Sequence, residues 1–93
     1  MSLSDEQVSA IADAIRTAPT LPEAVACWRE RYPGVRTMRV SADEMRDEAP
    51  ALQSGGRRVY FALSDGMCVS ITRHAGEAEM LIFTEGGAGD GDR

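Results

Sequence analysis

Lysine and asparagine are both absent from the 93-residue chain, and all ten basic residues are arginine. Without lysine there is no Schiff-base chemistry, no phosphate-loop lysine and no lysine general base. The glycine pair Gly55-Gly56 lacks the Gly-Lys-Ser/Thr ending of a phosphate loop. No apolar run approaches the length of about 20 residues that crosses a bilayer. No C-x-x-C pair occurs, which removes zinc-ribbon and thioredoxin readings. Positive charge is also in short supply: fifteen acidic residues against ten arginines give a formal charge of −5. A nucleic-acid backbone or an anionic membrane surface is bound by clustered cations, so neither is an expected partner.

What is present suits one small domain. A hydrophobic share of 43% is ordinary for a globular chain, and this length has room for a single core. Residues 1–85 are expected to form that domain, with a disordered Gly/Asp-rich tail over 86–93. The opening Ser2-Leu3-Ser4-Asp5-Glu6 is acidic where a secretory signal is basic. The expected compartment is therefore a reducing cytoplasm, with Cys27 and Cys68 as free thiols.

Helix signals dominate the first third. Ser4 and Gln7 have capping-box spacing, followed by Val8, Ile11, Ala12 and Ile15 at helical period, which predicts a helix ending before Pro19. Thr20 and Glu23 form a second capping box, with Leu21, Ala24, Val25 and Trp28 on one face and a stop at Tyr32-Pro33-Gly34. Arg36 to Val40 reads as a strand. Ser41 to Glu44 is a third capping box opening a short turn, and Gln53-Ser54-Gly55-Gly56 reads as a loop. From Arg57 to Thr84, three runs rich in β-branched, aromatic and aliphatic residues are separated by turn signals at Ser64-Asp65-Gly66 and Arg73–Ala78, as in an antiparallel meander.

The expected fold is α+β: two N-terminal helices on one face of a three- to four-stranded antiparallel meander. Val59, Phe61, Leu63, Val69, Ile71, Leu81 and Phe83 are assigned to the helix side. Tyr60, Cys68, Ser70 and Thr72 are assigned to the opposite face, which an antiparallel sheet can turn to water or to a partner.

Candidate chemistry is sparse. Asp43, Glu44, Asp47 and Glu48 form the only local acidic cluster; hard cations such as Mg²⁺ or Ca²⁺ take oxygen ligands of this kind. A solvated helix start, offset by Arg46, explains the same residues. Cys68 and His74 are a second candidate ligand pair, two groups short of a structural zinc site. Against that, Cys68 in a strand and Cys27 beside Trp28 read as small hydrophobes, and His74 as a solvated loop residue. Arg57 and Arg58 read either as a carboxylate or phosphate clamp or as charges guarding a strand edge.

The order of features from Tyr32 to Glu85 resembles a family of small proteins encoded among bacterial nitrogen-fixation genes. The likeness rests on Pro33-Gly34-Val35, Ser41-Ala42-Asp43-Glu44-Met45, Asp65-Gly66-Met67-Cys68, Ile71-Thr72 and the final apolar strand. Family members often carry histidine before the cysteine matching Cys68, where this chain has Met67. The resemblance implies a genomic context and no mechanism. The Arg, Ala and Gly bias agrees with a high-GC bacterial coding sequence. With no catalytic constellation in view, the expectation is a non-enzymatic accessory protein without a cofactor, acting on a protein partner as monomer or homodimer. The alternative is a metal- or small-ligand-binding protein.

Overall fold

A computed structural model describes residues 3–85, apart from the Asp65 side chain; the tail expected over 86–93 lies outside the described residues. Two helices lead the chain. In α1 (Asp5–Thr17) the capping box is complete: Ser4 Oγ accepts from the Gln7 N–H at 3.1 Å, and Gln7 Oε1 accepts from the Ser4 N–H at 2.9 Å. In α2 (Leu21–Arg31) Thr20 Oγ1 accepts from the Glu23 N–H at 3.2 Å. Pro22 sits in the first turn, where N–H groups lack intrahelical partners. The third box yields one 3-10 turn, Asp43–Met45.

Five strands follow: β1 (Arg36–Arg39), β2 (Leu52–Ser54), β3 (Arg57–Asp65), β4 (Cys68–Thr72) and β5 (Met80–Glu85). β3 is the axis of the sheet. β5 pairs antiparallel along one side of it, while β2 and β4 lie end to end along the other. β1 pairs parallel with the far side of β5. The α+β class is as expected, but the sheet is mixed and five-stranded rather than an antiparallel meander of three or four. The parallel pair joins segments more than forty residues apart in sequence, a contact that no local pattern encodes.

Two further expectations are corrected. Residues 52–54 are a strand, not a loop. Gly55, at φ 60°, turns the chain tightly enough for Ser54 to face Arg57 across a Gly55-Gly56 hairpin. The next hairpin has a two-residue turn rather than the three-residue turn that Ser64-Asp65-Gly66 suggests, which would set Leu63 opposite Met67. Asp65 pairs with Cys68, so Gly66 (φ 66°) and Met67 form the turn. Residues paired across an antiparallel ladder share a face, and a one-residue slip exchanges faces. Ile71 opposite Ala62 and Val69 opposite Ser64 therefore lie on the Tyr60 face; Cys68, Ser70 and Thr72 lie on the Phe61 face. This is the reverse of the assignment made from alternation.

Each face of the sheet has its own core. On one side α1 and α2 bury Ile11, Ile15, Leu21, Val25 and Trp28 against Val59, Phe61, Leu81 and Phe83. On the other, Tyr60, Ala62, Met80 and Ile82 are covered by the connection from β1 to β2, whose Met45 is packed down onto them. The Tyr60 hydroxyl donates to the Met45 carbonyl at 3.4 Å. The second face is thus largely closed rather than open to water. Among the described residues the exposed large apolar side chains lie at the sheet's margins: Met38 on β1, Met67 in the turn and Val69 on β4.

Candidate functional site

The residues singled out by sequence do not gather. Asp43, Glu44, Asp47 and Glu48 are all exposed on and after the 3-10 turn, and Arg46 Nη1 donates to Asp43 Oδ1 at 3.1 Å. Cys68 opens β4 and His74 follows its end; the strand between them is roughly 13 Å long at the usual rise. Among the described residues, no three His, Cys, Asp or Glu side chains are grouped to hold a metal ion. Cys27 and Cys68 are both exposed thiols, so neither fills the core as a small hydrophobe. His74 is exposed, as a solvated loop residue would be.

Arg57 is neither an anion clamp nor an edge guard. Its guanidinium reaches over the end of α1. Nη1 donates to the carbonyls of Ile15 at 3.1 Å and Ala18 at 2.5 Å, and Nη2 donates to Pro19 at 2.7 Å. A helix end leaves its last carbonyls without intrahelical partners, and a cation there also suits the macrodipole. Nε faces Glu85 Oε2 at 3.4 Å. The side chain is thus committed to tying the helical hairpin to the sheet. Its neighbour Arg58 is half-buried, with Nε lacking a partner among the described residues. Its cross-strand partner Thr84 is 1% exposed, and Thr84 Oγ1 is likewise unpartnered among the described residues.

What the fold does assemble is a basic sheet edge. Tyr32-Pro33-Gly34 ends α2 and turns the chain directly into β1, so Arg29 of the last helical turn sits beside Arg36, while Arg31 lines the groove between the helices with Asp13 and Trp28. Residues 29–39 hold four arginines and one glutamate, whereas the rest of the chain holds six arginines and fourteen acids. None of these four arginines has an ion-pair partner among the described residues. Arg29 and Arg36 line one shallow depression with Pro33, Val35 and Thr37. Arg39 lines another with Leu21, Val40, Phe83 and Glu85.

The backbone of β1 is half used. The Val40 N–H donates to the Phe83 carbonyl at 3.1 Å, which fixes the phase of the ladder. Residues 36, 38 and 40 direct their peptide groups towards β5, while Thr37 and Arg39 direct theirs outward. Among the described residues no hydrogen bond meets those outward groups. Side chains alternate as well. Thr37 and Arg39 share the Phe83 face, and Arg36 shares the Ile82 face with Met38, which is 39% exposed. The outer edge of β4 is open too, but Cys68-Val69-Ser70-Ile71-Thr72 carries no charge.

Sequence reasoning missed this edge because it weighed net charge over the whole chain. The cluster of arginines at 29–39 was the available signal. A comparison of the chain with protein-family models, curated proteins and solved structures finds no match.

Proposed function

We propose that this protein is a non-enzymatic accessory protein that works by holding a protein partner against an open edge of its sheet, in the setting of bacterial nitrogen fixation. The observation that carries the reading is the pair of open edges, β1 and β4, on a fold in which no three His, Cys, Asp or Glu side chains are grouped among the described residues to hold a metal ion. Strand addition draws its affinity from main-chain hydrogen bonds and its specificity from alternate side chains. An open edge is otherwise a hazard that proteins cover or guard. The nitrogen-fixation setting is supported by the resemblance over Tyr32–Glu85 alone.

The test is affinity capture from nitrogen-fixing cells, with edge-blocked variants beside the wild type. Proline is tolerated on an edge strand where the N–H faces outward, so Thr37→Pro blocks β1 and keeps the β5 ladder. Val69→Arg places a charge beside the β4 edge. A partner retained by wild type and lost on one variant supports the reading. Capture unaffected by either variant, or no specific capture, contradicts it.

A further inference from the structure

We infer that the β1 edge receives an extended acidic segment of a partner protein, with two acidic residues spaced three apart and an apolar residue between them. The inference rests on the interaction reading above and names its ligand.

Three observations define the occupant. The outward peptide groups of Thr37 and Arg39 offer two donors and two acceptors to a new strand. Arg36 and Arg39 lie on opposite faces of β1, with exposed Met38 on the Arg36 face. A strand laid antiparallel along β1 would therefore set an acid opposite Arg39, an apolar side chain opposite Met38, a free choice opposite Thr37 and an acid opposite Arg36. Laid parallel, it would read the same pattern in reverse. Arginine forks suit carboxylates, and Arg29 beside Arg36 extends the positive field at one end.

The same geometry disfavours nearer occupants. A second copy pairing in register and antiparallel through β1 must set outward Thr37 opposite outward Arg39 of its partner. That brings the two Arg39 side chains to diagonal positions on one face, where long like-charged side chains are within reach of each other. The chain's own C-terminal residues offer Asp90 and Asp92, which are two apart. In an extended strand they share one face and cannot meet arginines on both. If Arg36 and Arg39 served only to guard the edge, no segment of either charge would pair with it as a strand.

The experiment is a titration of the isotope-labelled full chain, followed through its amide NMR signals. The probes are capped eight-residue peptides with a Glu-Val-Thr-Glu core or its reverse. Controls carry lysine for glutamate, or N-methylated core amides that cannot pair. The expected result is a saturating shift centred on Thr37 and Arg39, about tenfold weaker for the lysine peptides, as two exposed ion pairs allow, and abolished by N-methylation. The double variant Arg36→Glu/Arg39→Glu should reverse the charge preference, with unchanged Val59 and Phe61 signals reporting that it is folded. Shifts centred elsewhere, equal response to both charges, or no shift at millimolar peptide overturn the inference. If they do so while the Val69→Arg variant loses a captured partner, the interaction reading stands on β4 instead. If the wild type also captures nothing specific, or its capture is unaffected by either variant, both fall.

Discussion

Arg57 shows how one side chain can look functional in sequence and be structural in the fold. As the first of two arginines before a strand, it suggests anion binding; its three carbonyl acceptors, in the last turn of α1 and the connection after it, give it a different task. Arg57→Ala strips partners from three carbonyls and is expected to cost about 3 kcal/mol, since hydrogen bonds to charged groups are each worth more than neutral ones. Arg57→Lys should recover only part of that, because a single ammonium lacks the fork that spans Ala18 and Pro19. Urea unfolding of the two variants checks this, and a loss below about 1 kcal/mol for alanine would mean that water satisfies the helix end equally well. Thr84 makes the opposite case. Its buried hydroxyl has no partner among the described residues, so Thr84→Val should raise stability by about 1 kcal/mol. A fall in the thermal midpoint would show that Oγ1 is hydrogen-bonded after all.

At the scale of elements, local chemistry was legible and long-range pairing was not. Both helices begin at Ser4 and Thr20 as their capping residues dictate, and α2 ends at Tyr32 ahead of Pro33. β2 escaped because three residues are too few to show alternation, and β1 against β5 because parallel neighbours need no shared turn. The face reversal in β4 arose from reading a three-residue turn at 64–66 where the chain makes a two-residue turn at 66–67, which moves the register by an odd number of residues, and Gly66 decides that turn. At φ 66° it adopts a backbone that side chains rarely take. Gly66→Ala is expected to cost about 1 kcal/mol through backbone strain alone, because nothing lies near the added methyl. A neutral result from thermal denaturation would place the turn elsewhere. The β1–β2 connection carries a larger effect. Met45→Ala empties the lid over Tyr60, Met80 and Ile82 and should cost about 2–4 kcal/mol. Binding of a hydrophobic dye should rise with it; an unchanged signal would mean that the second face has another cover.

For the whole molecule, the decisive property is how charge is distributed rather than its sum. An overall charge of −5 coexists with an arginine-rich stretch at 29–39, and averaging over the chain hides it. That also explains how much of the site could be read in advance. The arginines were visible as letters, but their placement on both faces of an unpaired edge follows from the parallel β1–β5 ladder. No helix among the described residues is long and apolar enough to cross a membrane. If the metal-binding alternative held, a chelator would lower the thermal midpoint; with Asp43 tied to Arg46 and Cys68 distant from His74, chelation is expected to leave it unchanged. Binding at the β1 edge should weaken steeply with salt, because its ion pairs are exposed and screened within about 10 Å at 0.1 M. The most direct test is amide hydrogen exchange at Thr37 and Arg39, free and with the Glu-Val-Thr-Glu peptide. Both amides should exchange rapidly in the free protein and become protected in the complex, while Met38, already bonded to β5, changes little. Outward amides that are already protected in the free chain, or that stay unprotected when the peptide is bound, would contradict an open, strand-accepting edge.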